Sequence, residues 1–162
     1  MFYVRKVNRG KWNSIESIDD VTDDFILSEL RLDNNTLSVW KLNDNYDKTE
    51  LDSIFLALGS NMEHLGTINL VLIKDDSIKK LKKDDIPGET PAVDVNNMHC
   101  NVVIPDRASL NIFIQGVIDA FKSNNVIPKT KSQMEVILKV GLRENRIVKE
   151  KIPISLLKKL EK

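Results

Sequence analysis

Apolar positions recur along this chain with two different periods, and the change from one to the other predicts its elements. Residues 2–7, FYVRKV, alternate loosely and are rich in aromatic and β-branched types, which predicts a first strand broken by Arg9-Gly10-Lys11. Ile18, Val21, Phe25 and Leu30 then follow a helical stripe to about residue 31, behind an acidic first turn at Asp19 and Asp20. Asp33-Asn34-Asn35 forms a turn, and Leu37–Leu42 predicts a strand with Leu37, Val39 and Lys41 on one side and Ser38, Trp40 and Leu42 on the other. After a polar loop, Leu51, Ile54, Phe55, Leu58 and Met62 predict a helix with Thr49 as its N-cap and Gly59 near its end. The nearly continuous apolar run Ile68–Ile73 predicts a strand covered on both faces.

Beyond that strand the punctuation thickens. Ser77–Lys83 reads as a short Lys-rich helix, and Pro87-Gly88-Glu89-Thr90-Pro91 as a loop that no regular element can pass through. Asn101–Ile104 predicts a fourth strand, stopped by Pro105. The pattern then turns to helices. Leu110, Phe113, Ile114, Val117, Ile118 and Phe121 give a broad apolar face on one long helix, ended by Asn124-Asn125 and Pro128. Thr130 with Gln133, or Ser132 with Glu135, has capping-box spacing ahead of Met134, Ile137 and Leu138. A last short helix around Ser155–Leu160 follows Pro153. The expectation is one α+β domain over residues 1–162, with about four early strands covered by helices and a helical C-terminal third.

Composition narrows the class. With 162 residues, 41% apolar and 30% charged, the chain can bury a core without a metal or disulfide staple. One cysteine excludes an internal disulfide, and two histidines exclude a His-rich metal triad. No cofactor and no metal are expected. The first twenty residues hold no apolar stretch of signal-peptide length and no window suits a membrane span, which points to a cytoplasmic protein.

The formal net charge of zero conceals a gradient. Residues 1–104 carry −6 and residues 105–162 carry +6. That divides an acidic part of mixed strands and helices from a basic helical part. Lys129, Lys131, Lys139, Arg143, Arg146, Lys149, Lys158 and Lys159 are the candidate residues for binding nucleic acid or an acidic partner. The 18 Lys against 6 Arg argue against bidentate base or phosphate reading, and residues 122–162 hold no aromatic side chain on which a base could stack.

Catalytic candidates are few. Cys100 follows His99, but neighbours in a strand point to opposite faces, so the pair is poorly placed as a thiolate and its base. Asp19, Asp20, Asp23 and Asp24 read as a solvated helix start, without the Asp-x-Asp or Glu-x-x-His company of a metal site. Asn43–Glu50 resembles a calcium loop only superficially, because Lys48 stands at the obligatory glycine and Ile54 at the bidentate glutamate. The six glycines are too scattered for a phosphate-binding loop, and Glu89 stands alone in its turn. No catalytic residue is assigned. Trp12 and Trp40 fit core packing better than an interface.

Tyr3-Val4-Arg5-Lys6-Val7 with Arg9 through Trp12, the later Leu37-Ser38-Val39-Trp40, and the Pro-Gly-Glu-Thr-Pro loop before a His-containing strand resemble small bacterial accessory proteins encoded in toxin-like or antiviral defence loci. The resemblance implies a protein partner encoded nearby and carries over no catalytic residue. Three functions are therefore in contention. The first is a non-enzymatic interaction or accessory subunit, as in a bacterial antiviral defence complex. The second is a nucleic-acid-binding module using the basic C-terminal helices, and the third a thiol enzyme using Cys100. A homo-oligomer is also open.

Overall fold

The computed structural model describes residues 1–162. Six strands, β1 (Phe2–Val7), β2 (Thr36–Leu42), β3 (Ile68–Lys74), β4 (Lys83–Asp84), β5 (His99–Val103) and β6 (Val126–Lys129), form one antiparallel sheet in the order β4-β5-β2-β1-β3-β6. Strand alternation sorts the side chains onto its two faces. Tyr3, Val7, Leu37, Val39, Val71, Ile73, Cys100 and Val102 point to one face, and Val4, Trp40, Leu42, Ile68, Leu70 and Leu72 to the other. Both sets are buried, so helices must lie on both sides.

On the first face lies α4 (Arg107–Lys122), whose Leu110, Phe113, Ile114, Val117 and Ile118 are all buried against the sheet. Each such side chain contributes about 1.5–3 kcal/mol on burial. The segment between β1 and β2 covers the rest of that face. It holds α1 (Arg9–Trp12) and α2 (Asp23–Phe25), which runs into a π-helical turn, Ile26–Leu30. Trp12 fills the junction, edge-on to Phe25 at 4.9 Å and stacked near Phe121 at 6.1 Å. Against the second face pack α3 (Lys48–Ser60), α5 (Lys131–Arg143) and α6 (Ile154–Leu160). The fold is α+β, and no helix is long and apolar enough to cross a membrane.

Four details depart from the reading of the sequence. Asp47 caps α3, accepting from the Glu50 amide, two residues ahead of the expected cap at Thr49. Ser77–Lys83 is no helix: a 3₁₀ turn ends at Ile78, and Lys83-Asp84 pairs with β5. The C-terminal third is not wholly helical, because Val126–Lys129 adds β6 to the free side of β3. Pro128 is tolerated there since an edge strand can spare a donor. The sheet thus has six strands rather than about four. Of the two capping-box options, Thr130 with Gln133 is the one formed.

The charge gradient is partly consumed inside the fold. Lys129 meets Asp52 at 2.9 Å, Arg146 meets Asp94 at 2.9 Å, and Arg107 meets Asp23 at 3.1 Å, each joining the basic third to the acidic remainder.

Candidate functional site

β1 and β2 pair only from Phe2↔Leu42 to Val4↔Trp40. Beyond that point β1 follows β3 to Val7↔Asn69, while β2 follows β5 to Thr36↔Val103. The two central strands therefore fork, and a cleft of about 540 Å³ opens between them. Its lining is mostly polar and includes Arg5, Lys6, Asn8, Ser28, Glu29, Arg31, Ser38, Thr67 and Asn69, with Trp40 and Leu58 among its apolar walls.

Arg5 spans the fork. It leaves β1 on the side of Tyr3 and Val7, where a strand of this kind carries apolar residues. Its guanidinium donates 2.6 Å to the main-chain oxygen of Ser38, in place of the donor that a continued ladder would supply. It also donates to the Leu30 carbonyl, one of the acceptors left free where the π-helical turn ends. Its Nε is buried and has no partner. No carboxylate is bonded to it. Burial pushes its pKa down to about 10, opposed by the charge of Glu29. Glu29 itself is taken up by Lys11 at 3.0 Å and by the Asn8 amide at 3.2 Å. Lys6 and Arg31 add two further cations to the lining, so positive charge exceeds negative across the cleft. Arg31 adopts a left-handed backbone, φ 48° and ψ 62°. The other positive-φ positions, Asn34, Asn35, Asn124 and Asn145, are all asparagine, the type that tolerates it best. Arg31 takes this conformation as the C-cap of the π-helical turn, a common helix ending that glycine would fill at lower cost.

Ser38 contributes a second feature. Its hydroxyl donates to His99 Nε2 on the adjoining strand, one diagonal step across the β2–β5 pair. His99 Nδ1 lies 2.7 Å from the Ile86 carbonyl oxygen. A carbonyl can only accept, so the ring proton sits on Nδ1 and leaves Nε2 as the acceptor. Trp40 packs edge-on against the same ring at 5.2 Å. Ser38 itself is exposed. A hydroxyl, a base and a group that orients the base are thus aligned beside the cleft.

The residues singled out in the sequence are distributed differently. Cys100 is fully buried on the face opposite His99, and burial raises its thiol to about 11, the reverse of what a reactive thiolate needs. Lys129 is held against Asp52 and over the Phe55 ring at 5.6 Å, and Arg146 bonds Asp94 and Ser53 Oγ, both at 2.9 Å. These two brace α3. Lys139 pairs with Glu135 one turn away, Arg143 lies near Glu144, and Lys149 pairs with Glu161. Lys131 and Lys159 come together, and the neighbouring Lys131 depresses the Lys159 pKa. Lys131, Lys158 and Lys159 make no ion pair, so three of the eight retain charge free for a partner. No group of His, Cys, Asp and Glu side chains is placed to hold a metal.

Reasoning from sequence overlooked the fork. One signal was present: Arg5 occupies the middle of the Tyr3, Arg5, Val7 face, between two apolar positions. The Ser38–His99 contact spans 61 positions and left no local motif. The chain matches no family model, no curated protein and no solved structure.

Proposed function

We propose that this chain is a recognition module that takes an anionic group of its partner into the cleft between β1 and β2. The observation that carries this reading is Arg5, a half-buried side chain whose Nε is closed off without a partner and whose guanidinium has no bonded carboxylate. A buried charge is costly unless it is paired, and main-chain carbonyls satisfy its hydrogens without cancelling its charge. A carboxylate or phosphate entering the cleft would supply the missing charge, meeting the guanidinium from its more exposed Nη1 side. Lys6 and Arg31 would draw such a group inward.

The reading gives the interaction-subunit expectation a specific contact, an acidic group presented by the partner, and it suits an accessory protein of a defence locus. It is favoured over a nucleic-acid interface on the basic C-terminal region, where five of the eight candidate side chains, Lys129, Lys139, Arg143, Arg146 and Lys149, already have acidic neighbours. It is also favoured over thiol chemistry, given the burial of Cys100. The test is a titration of ¹⁵N-labelled protein with inorganic phosphate and with succinate, followed at the Arg5 Nε–H resonance. A saturable shift that weakens as salt rises is expected. An Arg5 Nε–H resonance indifferent to both anions would overturn the reading.

A further inference from the structure

We infer that Ser38 and His99 are a nucleophile and its general base, and that the cleft hydrolyses a carboxylic ester carrying a second, anionic group. The inference rests on the anion-binding reading of the cleft and adds an activity to it. Three observations meet here. The Ser38 hydroxyl is exposed and directed at Nε2 of His99. The Ile86 carbonyl fixes the tautomer in which Nε2 can accept a proton. Finally, Arg5 is bonded to the main chain of Ser38 itself, so an anion held by its guanidinium would lie next to the residue that carries the hydroxyl.

The division of the charges selects the substrate class. Arg5 leaves β1 on the opposite side from Lys6, and its guanidinium lies at the level of the main chain, beneath the face that carries Ser38 Oγ. The strongest anion site is therefore beside the reacting atom and not at it. That suits an acyl ester with a separate carboxylate better than a phosphate diester, whose charge sits on the atom attacked. Lys6 shares the face of Ser38 and lines the same cleft, a cation on the side where the acyl oxygen would become an oxyanion.

The step balances without any cofactor. Ser38 Oγ bonds to the acyl carbon while its proton passes to His99 Nε2. The bond from that carbon to the leaving oxygen then breaks, and the departing alcohol takes the proton. Water attacks the resulting acyl-serine, giving one proton to Nε2, and Ser38 recovers it as the acid leaves.

The same contacts also suit a merely structural role, holding residues 86–91 against Trp40, and the test separates the two. Purified protein is incubated with a fluorophosphonate and assayed on p-nitrophenyl hemisuccinate, p-nitrophenyl acetate and bis(p-nitrophenyl) phosphate. Expected are a covalent adduct on Ser38 by mass spectrometry and turnover of the hemisuccinate at least tenfold above the acetate. A loss of at least a hundredfold is expected in Ser38→Ala and in His99→Asn. Asparagine retains a donor for the Ile86 carbonyl while removing Nε2, so His99→Asn keeps the loop anchored and loses only the base. Undiminished turnover in His99→Asn would overturn the inference, as would faster turnover of the phosphate diester. If neither adduct nor turnover exceeds the Ser38→Ala background while succinate still shifts the Arg5 Nε–H resonance, the esterase falls and anion recognition stands. If that resonance does not shift, both fall together.

Discussion

The guanidinium of Arg5 reaches 2.6 Å to the main-chain oxygen of Ser38 across the gap where the two central strands stop pairing. One side chain thus substitutes for a stretch of main-chain ladder and places a cation there. Removing it should be felt in both roles. Arg5→Met leaves the Ser38 and Leu30 carbonyls without their donor, an expected loss of about 1–3 kcal/mol. Part of that loss is offset because an isolated buried charge also disappears. Urea denaturation measures the balance, and the anion titration should become flat. A variant more stable than the parent would show that the carbonyls do not need Arg5.

Arg31→Gly separates stability from binding at the same cleft. Glycine accepts φ near 48° without the penalty a side chain meets, about 1 kcal/mol. The variant should be as stable as the parent or up to about 1 kcal/mol more so, while its affinity for phosphate falls several-fold. Equal anion affinity would remove Arg31 from the recognition surface.

Two glycines at the α3–α5 contact should respond differently to alanine. A Cβ at Gly141 would come 2.4 Å from Leu56 Cδ1 and 3.0 Å from Ile147 Cδ1. Both side chains are buried, so Gly141→Ala should cost about 1–3 kcal/mol by overpacking. At Gly59 the clash is with Met134 Cε at 2.6 Å, the end of a pliable side chain. There the helix-propensity gain of up to about 1 kcal/mol should hold Gly59→Ala close to neutral. Thermal melts of the two variants should differ by several degrees.

Cys100 gives a pH dependence with a definite sign. Burial raises its thiol from 9.0 to about 11 in the folded chain. A raised pKa contributes stability that is complete below the unfolded value and is lost as pH climbs through the folded one. Between pH 9 and 11 the parent should therefore lose stability relative to Cys100→Ala, by about 1 kcal/mol at pH 10. Denaturant midpoints at pH 7 and pH 10 for both proteins measure it. In the native state the thiol should also resist alkylation that it undergoes in denaturant.

The elements legible in the sequence are those whose own residues carry the signal. Ile68–Ile73 announces a doubly covered strand because every residue but Asn69 is apolar, and α4 announces itself through an unbroken helical face. β4 and β6 gave no such signal. Lys83-Asp84 is a strand only because β5 lies beside it, and Pro128 argues against the strand that contains it. Within the candidate site, strand alternation was enough to place His99 and Cys100 on opposite faces. That Ser38 rather than Cys100 meets His99 depends on the register between β2 and β5, which neither strand encodes alone.

The order of the sheet also bears on how the chain reaches this state. β1 is made first yet stands between β2 and β3, so its neighbours arrive only after residues 36–42 and 68–74 have been synthesised. β6 joins β3 from more than fifty residues further on, and α5 and α6, two of the three helices that cover the second face, are still later. A nascent chain that stops short of residue 126 would carry the apolar side chains of Ile68, Leu70 and Leu72 beneath an incomplete cover. Closure by late, distant contacts predicts slow folding and a vulnerable intermediate, one that a chaperone or a co-translated partner would shield.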